Sequence, residues 1–276
     1  MKRSTRRREI GSSKGADLAG VTILITRERE QARLMAKMVT LRGGKPLIFP
    51  TIETRFAVPA GQVESFKNDL SSSSWIVVTS VSSAKFLMKI LGDSFQPVLS
   101  RKKIGAVGRK TAGFLESKGV SVHIVPEEAN SESLGRILVE TLKKEDVVFF
   151  PRAREGRREL IEAFEENGLQ YLAPILYETA VPKYSAEVIR EVLETPVGYA
   201  SFTSPSSFRN FVEIAGKESS DSFFKNVRIA VIGNTTAACV RELGFQIAVL
   251  PEYPVIEGLL DAISADIAST AKKEEG

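Results

Sequence analysis

Residues able to bind an anion recur in two copies, each directly after a short apolar run. Thr79-Ser80 and Thr203-Ser204 end two such runs, and Gly108 and Gly233 end two others. Helix-start N–H groups, left open by glycine or flanked by hydroxyls, bind carboxylates or phosphates with help from the helix dipole. The candidate binding residues are Arg27, Thr79, Ser80, Gly108, Thr111, Arg152, Thr203, Ser204, Gly233, Thr235 and Thr236.

These hydroxyls also have a simpler interpretation. A serine or threonine at the start of a helix caps the free N–H groups whether or not a ligand binds. For any single residue the capping role is the alternative, whereas the paired set favours ligand binding. In a doubly wound sheet such residues lie at the carboxyl ends of the strands, where ligands bind.

The usual catalytic signatures are absent from the sequence. A single histidine, His123, and a single cysteine, Cys239, leave neither a His/Cys metal site nor a disulfide within the chain. Phosphate-binding loops of the P-loop and dinucleotide types are missing, as is the nucleophile elbow. Carboxylate-only magnesium binding stays open. An enzyme with this sequence would work mainly by holding its substrate.

Charge and hydropathy exclude several classes of protein. The net charge of +4 arises in residues 1–20, which carry six basic and two acidic side chains, so the remaining chain is balanced. A nucleic-acid-binding surface is therefore not predicted. No apolar stretch is long enough to span a membrane, and the basic start lacks the apolar run of a signal peptide. We expect a cytoplasmic protein with disordered tails at 1–20 and 269–276.

Strands alternate with helices, and the order repeats after about 125 residues. A buried strand at 21–26 precedes a helix at 27–42, whose predicted apolar stripe is Leu34, Met35, Met38, Val39 and Leu41. The copies are a strand at 146–151 and a helix from Arg157 to Asn167. Further predicted pairs are strands at 45–50 and 169–174, 75–80 and 199–204, strands ending at Pro126 and Pro251, and helices at 131–142 and 256–267. This alternation predicts an α/β fold with parallel sheets and helices on both faces.

Two polar extended segments, 51–57 and 174–182, are the natural linkers. A duplicated chain with two linkers can form two contiguous halves or a discontinuous domain. In the discontinuous arrangement, residues 21–50 join 183–268, and 58–173 form the other domain. Composition does not choose between these alternatives.

A series of short motifs runs along the chain: Ile25-Thr-Arg27, Phe49-Pro50, Trp75-Ile-Val-Val-Thr-Ser80, Ala106-Val-Gly108 with Thr111, Pro126-Glu127, Phe150-Pro-Arg152, Leu176-Tyr-Glu-Thr179, Phe202-Thr-Ser-Pro-Ser206, Ile232-Gly-Asn-Thr-Thr236 and Pro251-Glu-Tyr253. In their order and spacing, these motifs together resemble the uroporphyrinogen-III synthase family from Val21 to about Ile267. The resemblance implies the discontinuous arrangement, with two similar flavodoxin-like, doubly wound domains joined by a two-stranded linker.

The resemblance also implies an activity. Family members cyclise hydroxymethylbilane to uroporphyrinogen III, with inversion of ring D and loss of water, by folding the substrate in the cleft between the domains. They use neither a metal nor an organic cofactor. The substrate is a polyanion, which suits backbone N–H groups and the side chains of Arg27, Lys110 and Arg152. A monomer that makes a transient contact with hydroxymethylbilane synthase is expected.

Tyr177 matches the tyrosine of the family's Val/Leu-Tyr-x-Thr motif. The resemblance makes it the candidate hydrogen-bond donor to the departing hydroxyl. The alternative role is that of a linker tyrosine that anchors the two domains. The sequence departs from the family pattern at Val81, where proline is usual, and at Arg109-Lys110, where milder residues are usual.

A second hypothesis is a non-catalytic module of the same fold that binds an anionic ligand. It explains the missing acid–base groups equally well, but Tyr177 and the intact paired turns favour the enzyme. A periplasmic sugar-binding protein is disfavoured, because no signal peptide is recognisable and Trp75 is the only tryptophan.

Overall fold

The computed structural model describes residues 17–156 and 158–274. The chain divides into two compact units: the first comprises Met1–Glu53 and Val181–Gly276, and the second comprises Thr54–Ala180. Most of the expected basic tail, residues 1–16, lies outside the described residues.

Eleven strands and twelve α-helices are assigned within the described residues. The strands are β1 (Thr22–Ile25), β2 (Lys45–Ile48), β3 (Glu53–Phe56), β4 (Trp75–Val78), β5 (Lys103–Ala106), β6 (Val147–Phe149), β7 (Arg152–Ala153), β8 (Gln170–Leu172), β9 (Ile175–Ala180), β10 (Tyr199–Phe202) and β11 (Arg228–Val231). The helices are α1 (Arg29–Leu41), α2 (Val63–Ser72), α3 (Val81–Leu91), α4 (Phe95–Leu99), α5 (Arg109–Glu116), α6 (Ser131–Thr141), α7 (Glu159–Glu166), α8 (Ala186–Glu194), α9 (Pro205–Ala215), α10 (Lys217–Phe223), α11 (Asn234–Glu242) and α12 (Ile256–Glu274).

The first unit is built on a parallel sheet in the order β11-β10-β1-β2. Its central strands β1 and β10 are apolar and almost fully buried, as strands covered on both faces must be. One face packs an aromatic-rich core that includes Phe202, Phe208 and Phe211. The other face packs a core that joins α1 and α12 through Met35 and Leu260.

The second unit repeats this plan with the order β5-β4-β6-β8, again with parallel pairs. Ile76 and Phe149 belong to the core on one face, and Val77 and Phe164 belong to the core on the other. The predicted α/β fold with parallel sheets is therefore confirmed. The strands predicted to end at Pro126 and Pro251 are shorter than expected, because each forms a single bridge to its neighbouring strand, Gly105 to Ile124 and Ala230 to Val249.

The segments predicted as linkers are paired more extensively than expected. β3 and β9 form a three-stranded sheet with β7, a strand that the sequence pattern did not reveal. Backbone hydrogen bonds fix this small sheet: the Ala57 N–H donates to the Leu176 carbonyl at 3.1 Å, and the Arg154 N–H donates to the Tyr177 carbonyl at 2.9 Å.

Four expectations about helices and tails need correction. Leu34 and Leu41 are 63% and 87% exposed, because the buried stripe of α1 runs instead through Ala32, Met35, Ala36 and Val39. Residues 269–274, expected to be a disordered tail, continue α12. At the other end, Leu18 is fully buried and its N–H donates to the Arg42 carbonyl, so residues 17–20 are not a free tail. The helix predicted from Arg157 begins at Glu159, and Arg157 lies outside the described residues.

Candidate functional site

Tyr177 and Ser80 meet in the second unit. The Ser80 hydroxyl caps α3 by accepting a hydrogen bond from the Ser83 N–H at 2.9 Å. The Tyr177 hydroxyl lies 3.1 Å from the Ser80 Oγ, and it accepts a hydrogen bond from the Ser83 Oγ at 3.4 Å. Thr79, directly before the cap, is half-buried. Three hydroxyls are thus gathered where β4 ends and α3 begins.

The Tyr177 ring is held from the side and from the backbone. It stacks on Phe86 with ring centroids 5.1 Å apart and an interplanar angle of 4°. The next residue, Glu178, accepts hydrogen bonds from Arg154 at 2.6 Å and from Arg55 at 2.8 Å. These bonds, that from Arg154 first, lower the pKa of Glu178. Arg55 lies on β3, Glu178 lies on the central strand β9, and Arg154 directly follows β7 on the other side of β9. The two ion pairs therefore hold β9, the strand that carries Tyr177, from both sides.

Gly108 precedes α5, the second helix of this unit that begins at a predicted binding residue. It is the N-cap of α5 and has no side chain to accept from the first-turn N–H groups. A Cβ at Gly108 would lie 2.7 Å from the Cβ of Ala129, so packing alone restricts this position to glycine. Thr111 is buried in the first turn, whereas Arg109 and Lys110 are exposed there.

Arg152 makes a local contact. Its guanidinium donates to the Gly156 carbonyl at 3.3 Å, within the turn that follows β7. The side chain is half-buried. Among the hydrogen bonds of the described residues, none joins Arg152 to Ser80 or Tyr177.

Ser204 repeats the role of Ser80 in the first unit. Its hydroxyl accepts from the Ser207 N–H at 3.1 Å, and the Ser207 side chain in turn accepts from the Ser204 N–H, which completes a capping box at the start of α9. Thr203, directly before it, is half-buried. Pro205 occupies the first turn, where its missing N–H has no cost.

Gly233 repeats the role of Gly108 as the N-cap of α11, again with no capping side chain. Here a Cβ would meet only the Pro254 Cβ at 3.5 Å, an ordinary contact. Thr235 is exposed and Thr236 is buried. The two glycine turns therefore share their open N–H groups but differ in the space around the glycine.

Arg27 follows β1 in the first unit. Its guanidinium donates to the Gln31 side chain, one turn along the chain. Burial lowers the pKa of the Arg27 guanidinium. The neighbouring Thr26 is fully buried and its hydroxyl donates to the Ser201 carbonyl at 2.8 Å, so Thr26 ties two strands together.

In each unit, two neighbouring strands are each followed by a helix, and one helix begins at a serine N-cap whereas the other begins at a glycine N-cap. β4 pairs with β5, and β10 pairs with β11, in parallel, so the two helix starts of a unit both lie at the carboxyl ends of its strands. The serine starts have their caps satisfied internally. The glycine starts leave N–H groups and the positive end of the helix dipole available to an anion.

Three cavities within single units are lined by other residues. One of about 770 Å³ is at the amino ends of the first unit's strands and contacts Thr22, Gly198 and Val227. Another, of about 370 Å³, lies between α2 and the small sheet. A third, of about 380 Å³, lies beside β2. The predicted strand-end residues line none of the three.

The part of the chain that the structure describes holds no group of three or more His, Cys, Asp or Glu side chains suited to a metal ion. His123 has a structural contact, since its Nδ1 accepts the Ile104 N–H at 3.1 Å. No helix within residues 17–156 and 158–274 has the length and apolar character needed to cross a membrane.

Comparison with known proteins assigns a family. A family model for uroporphyrinogen-III synthase (HemD) matches residues 34–261. The chain belongs to the uroporphyrinogen-III synthase family.

Individual relatives agree with this membership. The chain is 31% identical over 238 residues to a uroporphyrinogen-III synthase of Chlorobaculum parvum, covering 84% of this chain and 93% of the relative. Among solved structures, uroporphyrinogen-III synthetase from Helicobacter pylori is similar in fold, with a TM-score of 0.56, 17% identity and coverage of 91% and 99% of the two chains. A mutant uroporphyrinogen III synthase from Thermus thermophilus has a TM-score of 0.50, 20% identity and coverage of 90% and 99%.

Sequence reasoning missed the residues that hold the family tyrosine. Ser83, Phe86 and the Arg55–Glu178–Arg154 ion pairs were not predicted. One signal was available for Ser83, which stands three residues after Ser80 as Ser207 stands after Ser204. For the ion pairs no local pattern existed, because the partners are far apart in sequence.

Proposed function

We propose that this protein is a uroporphyrinogen-III synthase, a carbon–oxygen lyase that cyclises hydroxymethylbilane to uroporphyrinogen III in tetrapyrrole biosynthesis. The observation that carries the proposal is the 31% identity to the Chlorobaculum parvum enzyme over nearly the whole of both chains. The comparisons give no support to the alternative of a non-catalytic binding module.

The substrate polyanion is bound mainly by backbone N–H groups in this proposal. The open starts of α5 and α11, at Gly108 and Gly233, supply donors and a helix dipole. Lys110 and Arg109 add positive charge to the first of these starts, whereas Asn234 and Thr235 make the second polar and neutral. This asymmetry suits a substrate whose two ends differ.

Tyr177 is the proposed hydrogen-bond donor to the departing hydroxyl. Its oxygen accepts from the Ser83 Oγ and lies 3.1 Å from the Ser80 Oγ, so in this proposal its proton turns from Ser80 to the departing hydroxyl when substrate binds. As the C–O bond of the hydroxymethyl group breaks, that proton passes to the oxygen and water leaves. The resulting azafulvene carbon bonds to the substituted α-carbon of ring D, which gives a spiro intermediate. The bond from that carbon to the methylene of ring C then breaks, and the methylene bonds to the free α-carbon of ring D. Loss of the proton at that carbon completes the macrocycle, and a proton returns to the Tyr177 oxygen.

Orientation supplies the rest of the catalysis. Hydroxymethylbilane cyclises without help to the uninverted isomer, so the enzyme must hold ring D such that the substituted carbon is the one that attacks. Ser80, Ser204, Thr79, Thr203, Thr111 and Thr236 are proposed to shape this environment, together with Arg27 and Arg152.

The finer features of the fold belong to the proposal as well. We infer that each unit is a doubly wound, flavodoxin-like domain, an inference supported by the strand orders and by the cores on both faces of each sheet. A cytoplasmic monomer that receives its substrate through transient contact with hydroxymethylbilane synthase remains a prediction.

The test is an isomer analysis. Porphobilinogen is converted to hydroxymethylbilane by its synthase in the presence of the full-length protein, the products are oxidised, and the uroporphyrin isomers are separated. Isomer III in excess over the reaction without the protein is expected. Isomer I alone would refute the proposal.

A further inference from the structure

The cavity of about 380 Å³ beside β2 lies entirely within the first unit. Because β2 is an edge strand, the cavity opens where the sheet ends. Its walls include Arg29 and Arg33 from α1, Phe49 just after β2, Tyr184, and Glu191 from α8. We call this cavity the β2 pocket. No residue of the proposed catalytic site lines it.

Two arginine side chains, Arg29 and Arg33, line one side of the β2 pocket. Arg29 and Arg33 are four residues apart on α1 and so face the same way. Both are exposed, and neither has an ion pair in the described part of the chain. By contrast, Arg42 and Arg228 of the same unit bind Asp261 and Asp266. A guanidinium group without a protein partner can donate two parallel hydrogen bonds to a ligand carboxylate.

A fixed aromatic ring forms another side. Tyr184 stacks on Phe49 with centroids 4.5 Å apart, and its hydroxyl donates to the Pro50 carbonyl at 2.7 Å. Burial raises the pKa of Tyr184, and the nearby charge of Arg29 acts in the opposite direction. Because Tyr184 and Arg29 both line the β2 pocket, one ligand can contact the two side chains together.

The β2 pocket lies at the carboxyl ends of the first unit's strands, where the proposed substrate-binding residues also lie. Arg29 is the first residue of α1 and stands two positions after Arg27, at the carboxyl end of β1. Phe49 follows the carboxyl end of β2, which pairs with β1 in parallel. A substrate held at this edge can thus extend one of its rings into the pocket.

We propose that the β2 pocket binds one carboxylate-bearing pyrrole ring of the tetrapyrrole substrate. Arg29 and Arg33 take the carboxylates, the Tyr184 ring covers the flat face, and Glu191 accepts from the ring N–H. The pocket volume of about 380 Å³ lies at the low end of the roughly 300–1,000 Å³ that is typical of ligand sites. The pocket therefore suits one substituted pyrrole ring and not the whole tetrapyrrole. This inference rests on the proposed function, because that function supplies the pyrrole ligand.

The first test measures binding without turnover. Porphobilinogen, a single pyrrole with two carboxylate side chains, is the probe, and saturation-transfer NMR on the full-length protein is the readout. We expect a signal for wild type that falls by about fivefold or more in the Arg29→Gln/Arg33→Gln double variant, since both carboxylate partners are removed. The control is Arg241→Gln, an exposed arginine in the last turn of α11, which should keep the signal. No signal in wild type, or an equal signal in the double variant, would overturn the proposal.

The second test uses the reaction. Because the β2 pocket holds a ring away from the bond that breaks, the double variant should raise the KM for hydroxymethylbilane about tenfold and leave kcat within about twofold. An unchanged KM in an active double variant would refute the pocket alone. Wild-type protein that forms only isomer I would refute the proposed function instead, so the two failures are distinguishable.

Discussion

Replacing Tyr177 by phenylalanine removes one oxygen from the hydroxyl cluster and leaves the ring in place. The stacking on Phe86 is retained, since it involves the ring alone. The hydroxyls of Ser80 and Ser83 lie 3.3 Å apart and keep each other as partners, and the cap of α3 is unaffected. The variant loses the contact with Ser80 at 3.1 Å and the longer one with Ser83 at 3.4 Å, which together should cost about 1–2 kcal/mol of stability.

The kinetic cost should be much larger. Positioned proton donors contribute about 10²–10⁴-fold to a rate. Because the hydroxymethyl group ionises readily by itself, we expect the low end of that range, about 100-fold in kcat. That factor corresponds to about 2.7 kcal/mol of transition-state stabilisation.

The assay compares Tyr177→Phe with Tyr171→Phe, a matched change in the same unit. The Tyr171 hydroxyl donates to Glu165 at 2.6 Å, so Tyr171→Phe likewise removes the hydrogen bonding of a tyrosine hydroxyl and keeps the ring. Both variants should melt within a few degrees of wild type. Only Tyr177→Phe should lose turnover, measured as initial formation of isomer III. A kcat within twofold of wild type for Tyr177→Phe would remove the hydroxyl from the mechanism.

Two further predictions concern stability. Gly108→Ala should destabilise the protein by about 1–3 kcal/mol in chemical denaturation, because the new methyl group would lie 2.7 Å from the Ala129 Cβ. Gly233→Ala should cost under about 1 kcal/mol, since its nearest contact, the Pro254 Cβ, is 3.5 Å away. Equal losses of stability in the two variants would contradict the packing argument. Glu178→Gln should flatten the loss of stability on acidification. The folded pKa of Glu178 is lowered by Arg154 and Arg55, so its contribution is present above its unfolded pKa of about 4.3 and is lost as pH falls through the lower folded value. Urea midpoints between pH 5 and pH 3 check this, and parallel curves for the two proteins would show that the ion pairs add nothing.

The duplication made the main sheets predictable from sequence. Trp75–Val78 is a continuous apolar run, and Tyr199–Phe202 is apolar except for Ser201. The turns after these buried strands carry residue types that backbone geometry restricts. The error at Leu34 and Leu41 has a simple cause. Apolar content alone does not decide which side of a helix faces the core, and small residues such as Ala32 and Ala36 complete the true stripe.

Long-range pairing in the candidate site was not predictable in the same way. Tyr177 was found through a motif, but its contacts with Ser80 and Ser83 span 97 and 94 residues. The partners of Glu178 are likewise brought together by the three-stranded sheet, whose short strand β7 has only two residues and no pattern of its own. Such contacts depend on chain topology, which local propensity does not encode.

The most direct test of the central claim is the isomer ratio at increasing protein concentration, with hydroxymethylbilane generated at a fixed rate. An enzyme that orients ring D predicts that isomer III rises with protein concentration until it dominates, while isomer I falls in step. A product that remains isomer I at every protein concentration would contradict the assignment of this chain as a uroporphyrinogen-III synthase.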